Sequence, residues 1–138
     1  MFRHVGIVVQ NMEIMSQFYC DVFNLNILYD EIEEGEFLNT IIGENKAQAH
    51  ILKLGKDNTI FLELLNYNIS KKSKAKKIIE HGITHFALTV ENIDVIYNKL
   101  LNQKTTVINP PEETKDKLVK VCFCLDPENN FIELVQVK

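Results

Sequence analysis

Apolar and polar positions alternate along Arg3-His4-Val5-Gly6-Ile7-Val8-Val9-Gln10. A strand here turns Val5, Ile7 and Val9 to one face and His4, Gly6, Val8 and Gln10 to the other. The period then changes. Asn11 has the chemistry of an N-cap, Glu13 lies in the first turn, and Met12, Met15, Phe18, Tyr19, Val22 and Phe23 recur at helical spacing, which predicts an amphipathic helix of about three turns. Ile27 to Glu33 reads as a strand, and Gly35-Glu36-Phe37-Leu38 onward as a short helix or loop ending near Gly43. Two strands follow, Ala47 to Leu54 and Thr59 to Tyr67, joined by Gly55-Lys56-Asp57-Asn58, which has hairpin-turn composition.

From Asn68 to Glu80 the chain turns polar and carries Lys71, Lys72, Lys74, Lys76 and Lys77. Such runs are ordinarily solvated surface rather than an anion-binding patch, so this stretch reads as a linker. Apolar patterning then returns as a strand over Thr84 to Val90, a helix over Ile93 to Asn102, and strands over Thr106 to Ile108 and Leu118 to Leu125. After the turn Asp126-Pro127-Glu128-Asn129-Asn130 comes a last strand, Phe131 to Val137. The expected organisation is a first module over 1–67, a lysine-rich linker over 68–81 and a second module over 82–138.

The second half repeats the first. Gln10-Asn11-Met12-Glu13-Ile14-Met15 matches Glu91-Asn92-Ile93-Asp94-Val95-Ile96, and the same offset superposes His4 on His85. Phe61-Leu62-Glu63-Leu64-Leu65 matches Phe131-Ile132-Glu133-Leu134-Val135 at a shorter offset, the longer middle of the first copy absorbing the difference. Each module is therefore a strand, a helix and three strands, with a histidine on its first strand and a glutamate on its last.

A single histidine in an apolar strand is ordinarily a core or surface residue, and so is a single glutamate. A carboxylate flanked by Phe and Leu, however, is costly to bury unless paired or metal-bound, and two of them at matched positions are poorly explained by packing. His4, Glu63, His85 and Glu133 are thus expected to converge on one divalent-metal site. Two imidazoles and two carboxylates suit Zn, Ni, Co, Mn or Fe, with water in the remaining positions.

Composition narrows the setting. A chain of 138 residues, 46% hydrophobic, can bury the core of one globular unit. Fifteen basic against nineteen acidic residues leave a net charge of -4, which argues against nucleic acid as a partner. There are three cysteines, and Cys122 and Cys124 lie too close on one strand for an ordinary disulfide, so a reducing, cytoplasmic setting is expected. With no apolar run of about 18 residues and no signal-peptide pattern, no membrane partner is expected.

The chain resembles the vicinal oxygen chelate superfamily, the glyoxalase, bleomycin-resistance and extradiol-dioxygenase group, over nearly its whole length. The resemblance rests on His4-Val5-Gly6-Ile7-Val8-Val9 leading to Phe18-Tyr19, on Phe61-Leu62-Glu63-Leu64-Leu65, on His85-Phe86-Ala87-Leu88-Thr89-Val90, and on Leu125-Asp126-Pro127 leading to Phe131-Ile132-Glu133-Leu134-Val135. It implies an α+β fold in which two βαβββ modules form a curved mixed sheet around a metal-binding cleft, and a homodimer acting on a small-molecule substrate. Members with such a ligand set, similar to glyoxalase I or methylmalonyl-CoA epimerase, are lyases or isomerases. They abstract a proton beside a carbonyl and stabilise the enediolate on the metal. On this resemblance Glu63 or Glu133 doubles as general base, and the substrate is a small hydroxy- or keto-acid derivative or thioester. The alternatives are a dioxygenase or thiol transferase, against which Glu63 counts as a fourth ligand, and a drug-sequestering protein of the bleomycin-resistance kind. Val8 and Tyr67 replace the arginine and asparagine with which bacterial glyoxalase I contacts glutathione, and this argues against glutathione here.

Other residues carry less. His50 and His81 have no matched partner and read as exposed, and Cys122 and Cys124 read as small core residues. Glu36 is a candidate second acid near the cleft, and Phe37, Phe61, Tyr67, Phe123 and Phe131 are candidates to line it.

Overall fold

The computed structural model describes residues 1–74 and 76–138, which form two compact units, Met1–Ser73 and Lys74–Lys138. The first contains β1 (Val5–Val8), α1 (Met12–Phe23), β2 (Asn26–Glu34), α2 (Glu36–Ile42), β3 (Gln48–Lys56) and β4 (Thr59–Tyr67). Its sheet has the order β1-β4-β3-β2, with β1 parallel to β4 and the other pairs antiparallel.

The Asn11 side chain accepts from the Ile14 amide at 3.0 Å and starts α1, which ends at Asn24 in the left-handed conformation. Met15, Phe18, Tyr19 and Val22 are buried by this helix, which packs on β3 and β4. There the cross-strand pairs Leu54–Leu62 and Leu52–Leu64 supply a buried aliphatic face. On alternate positions of the same strands a second cluster forms: Leu38 of α2 packs with Ala47, Ala49 and Ile51, and with the half-buried Tyr29, Leu65 and Tyr67.

The hairpin between β3 and β4 turns at Asp57 and Asn58, both at positive φ, as a two-residue type I′ turn requires. A bulge between Leu54 and Gly55 shifts the register behind it. Gly55 is obligatory there, because a Cβ at that position would lie 1.9 Å from the Thr59 carbonyl oxygen.

The second unit contains β5 (His85–Thr89), α3 (Ile93–Asn102), β6 (Glu112–Glu113), β7 (Val119–Leu125) and β8 (Phe131–Val137), with sheet order β5-β8-β7-β6. Asn92 caps α3 by accepting from the Val95 amide at 3.1 Å. Ile93 and Leu100 are fully buried, as are Cys122, Cys124, Ile132 and Leu134 of the sheet, and Lys120 ties β7 to Asp94 of α3 at 2.7 Å. At the β7–β8 turn, buried Asp126 accepts from the Glu128 and Asn130 amides through Oδ1 and from the Asn130 side chain through Oδ2.

The architecture is the expected α+β arrangement of two modules, which among the described residues is built as two four-stranded mixed sheets with three helices. Three details differ from the sequence pattern. The stretch Thr106 to Ile108 is not a strand: only Val107 bridges to Cys124, and the fourth strand is Glu112–Glu113. The Asn109 side chain takes the Phe123 amide that a ladder carbonyl would accept, and Pro110 and Pro111 have no amide to donate. The first strand is shorter than Arg3 to Gln10, because the Asn66 side chain donates to the Val9 and Gln10 carbonyls beyond its end. The region after Gly35, expected as a short helix or loop ending near Gly43, is a helix over Glu36–Ile42 capped by Gly43, and with it the first module reads βαβαββ rather than βαβββ. Among the described residues, no helix is long and apolar enough to cross a membrane.

Two glycine substitutions separate these constraints. Gly55→Ala is expected to lower the urea-unfolding free energy by about 1–3 kcal/mol, as overpacking against fixed backbone does. Gly6→Ala, where the nearest atom would be at 3.6 Å and where the second unit already has Ala87, is expected to change it by no more than about 0.5 kcal/mol.

Candidate metal centre

Each unit pairs its first strand with its last in parallel, and this pairing assembles the chemistry. Gly6 of β1 lies beside Glu63 of β4, and His4, two residues earlier, has the same parity and leans onto that glutamate. Its Nε2 stands 3.3 Å from Glu63 Oε2. In the second unit Ala87 lies beside Glu133, and His85, again two residues earlier, has its Nε2 3.4 Å from Glu133 Oε2. The structure thus brings His4 to Glu63 and His85 to Glu133 through the same atoms.

These separations differ from that of an ordinary hydrogen-bonded pair. His50 Nε2 and Asp30 Oδ1, on neighbouring strands of the first sheet, are 2.7 Å apart. Two donor atoms held about 2.0–2.2 Å from one ion, in tetrahedral or octahedral geometry, lie about 3–3.5 Å from each other. Both pairs have that bite, and their half-buried side chains keep solvent access, so each donor pair fits one edge of a divalent ion's coordination shell. Among the described residues, no group of three or more His, Cys, Asp or Glu side chains is arranged to hold a metal ion; each unit offers a pair.

The surroundings of the two pairs are unlike. His85 Nδ1 has the Thr84 hydroxyl at 3.0 Å, a contact that orients the ring, while His4 Nδ1 is buried with no hydrogen-bond partner. Lys53 of β3, directly across from Glu63, holds Nζ 3.4 Å from Glu63 Oε1 and 4.6 Å above the Tyr29 ring. The corresponding neighbour of Glu133 is Phe123, whose ring meets His85 edge-on at 5.2 Å.

Tyr67 lies four residues along β4 from Glu63, on the same face of the sheet. Burial first, then the negative charges of Glu63 and Glu33, hold its phenol above the ordinary range, so it remains a protonated donor. Val8 is exposed and brings no charge. Burial pushes the Cys122 thiol up to about 11 and is the main cause raising Cys124 to about 12, which removes both as nucleophiles. Glu36 begins α2 at the surface, and His81 is exposed. Lys53 was not among the residues the sequence pointed to, since the bulge at Gly55 decides which side chain of β4 it faces.

Comparison with known proteins bears on the family and the fold. A sequence profile of the glyoxalase/bleomycin resistance protein/dioxygenase superfamily matches residues 2–134. A probable lactoylglutathione lyase of Synechocystis sp. is 27% identical over 134 residues, covering 96% of this chain and 92% of that protein. A lactoylglutathione lyase of Schizosaccharomyces pombe is 28% identical over 143 residues, and there the match covers 46% of the longer relative. In three dimensions the chain is similar to a glyoxalase family protein from Bacillus cereus, with a TM-score of 0.86 at 18% identity over 99% of this chain and 93% of the other, a likeness of fold alone. Matched from its second residue to the end of its final Glu-Leu step, and built of two modules with the superfamily's fold, this chain belongs to the glyoxalase/bleomycin resistance protein/dioxygenase superfamily.

Proposed function

We propose that this chain is a metal-dependent lyase or isomerase of the glyoxalase type. In this reading His4, Glu63, His85 and Glu133 hold one divalent ion, and a glutamate moves a proton next to a substrate carbonyl. The observation that carries the reading is the duplicated donor pair, His Nε2 facing Glu Oε2 at 3.3 and 3.4 Å in the same register position of each unit. Zn, Ni, Co, Mn and Fe all accept this mixed donor set. A bound ion would supply a positive charge for two adjacent substrate oxygens and so ease loss of the neighbouring proton.

The two glutamates are suited to different parts. Glu63 is engaged through both oxygens, by His4 and by Lys53, and serves as the fixed ligand. Among the described residues Glu133 has an ion-pair contact with His85 alone, so its carboxylate is the freer to swing toward substrate and take the proton. Tyr67, kept protonated, is a donor at the rim of the first half-site. With Val8 and Tyr67 where glutathione contacts would lie, the substrate is a small hydroxy- or keto-acid derivative or a thioester rather than a glutathione adduct. The working unit in this reading is a cytoplasmic homodimer.

Elemental analysis after metal titration is expected to find bound divalent ion in the wild type and an affinity at least about tenfold weaker in Glu63→Gln. A wild type that takes up no metal sinks the reading. Mixing His4→Ala with Glu133→Gln protein tests the assembly: metal binding returns in the mixture only where ligands come from two copies.

With metal saturating, solvent deuterium should enter hydroxy-ketone or acyl-thioester substrates. Glu133→Gln should slow this exchange about 10²–10⁴-fold, the usual contribution of a positioned base. Oxygen consumption with a catechol and ferrous iron would instead mark a dioxygenase, and tight binding of a hydrophobic drug without turnover a sequestering protein.

A further inference from the structure

Tyr29, Lys53 and Glu63 are cross-strand neighbours in one row over β2, β3 and β4, so a lysine stands between an aromatic ring and the candidate ligand. Its half-buried ammonium lies 4.6 Å from the Tyr29 ring centroid and 3.4 Å from Glu63 Oε1. Tyr29 is itself tethered, its hydroxyl donating to Glu33 at 3.2 Å. The oxygen of Glu63 that meets His4 Nε2 is the other one, Oε2. The two oxygens of one carboxylate thus have separate partners, an imidazole and a cation.

Lys53 does not neutralise this face. Glu31 and Glu33 alternate with Tyr29 along β2 and share its side of the sheet. Burial first, then the Glu33 hydrogen bond and the charges of Glu33, Glu31 and Glu63, raise the Tyr29 phenol above its ordinary range. Three carboxylates against one ammonium and one imidazole leave the surroundings acidic, and attractive to a cation, with or without Lys53. Among the described residues the ion pair of Lys53 is with Glu63 alone, so its particular effect falls on one atom, Oε1.

We infer that Lys53 is a positioning residue: it holds Glu63 to ligation through one oxygen, and so makes this half-site favour zinc over manganese. The inference rests on the reading that His4 and Glu63 ligate a divalent ion, and it uses no residue of the second unit. A carboxylate can ligate through one oxygen or both. A cation at Oε1 competes with the bound ion for that oxygen and leaves Oε2, beside the imidazole, open. Imidazole nitrogen suits zinc, whereas carboxylate oxygen suits manganese, so one oxygen donor more or fewer weighs more on manganese than on zinc.

The test is calorimetric titration of the full chain with zinc and with manganese, on wild type, Lys53→Met, Lys53→Arg and Glu31→Gln. The ratio of manganese to zinc dissociation constants should fall about tenfold in Lys53→Met. It should stay within about twofold of wild type in Lys53→Arg, whose guanidinium keeps a cation at Oε1. Glu31→Gln removes a charge from the same face without touching Glu63. It should weaken both ions and leave their ratio within about twofold. A Lys53→Met protein that tightens both ions equally, or changes neither, overturns the role of Lys53 and leaves the metal reading standing. A ratio that moves as far in Glu31→Gln overturns it too, because general charge then sets the preference. Wild type that binds neither ion overturns both. If Lys53→Met unfolds, Lys53→Gln replaces it, with the same expected fall and the same overturning results.

Discussion

Everything chemical in this molecule depends on a parallel pairing between the first and the last strand of each unit. Parallel neighbours cannot be joined by a tight turn, so a helix and two antiparallel strands intervene, and residues as far apart as His4 and Glu63 become adjacent. Side chains alternate strictly along a strand, so a one-residue slip would send the glutamate to the face packed on the helix, among Leu62 and Leu64. Burial of those leucines under α1, and of Ile132 and Leu134 in the second unit, therefore fixes the register that aims each carboxylate at its histidine. The hydrophobic core and the donor pair are two faces of one strand.

The duplicated framework carries different surroundings in its two copies. The first unit adds α2, whose Leu38 closes over the same sheet face that carries Glu63 further along, and it places Lys53 and Tyr29 against the acid. Among its described residues the second unit has no such helix; it ties its histidine to a hydroxyl and walls it with a phenyl ring. Half-burial of two carboxylates is tolerable because each is contacted by an imidazole, and Glu63 by an ammonium as well. The copies thus keep the donor atoms constant while the charge and polarity around them diverge.

The neighbourhood of the candidate site also explains which titratable groups stay silent. The two β7 cysteines sit on the helix-facing side of the sheet, fully buried, with their thiols raised far above the thiolate range. The His50–Asp30 pair closes a hydrogen bond between β3 and β2 of the first sheet, and both side chains stay exposed.

Elements whose residues carry their own instructions were legible in the chain before any fold was known. Both helices with an asparagine cap and an apolar stripe were legible, as were β4 and β8 with their buried alternation. So was the internal repeat that singled out His4, Glu63, His85 and Glu133, because periodicity and capping are local properties. Tertiary structure decided what depends on partners. Thr106 to Ile108 has strand composition, yet its pairing with β7 stops at the single Val107–Cys124 bridge, where the Asn109 side chain takes the next amide and two prolines follow. Lys53 meets Glu63 only because the bulge at Gly55 moves the hairpin by one residue; a regular two-residue hairpin would have set Lys53 opposite Leu62, on the other face. Composition marks a turn, but the register behind a bulge is set by the packing of both strands, and that packing is written across the whole sheet rather than in the residues of the turn.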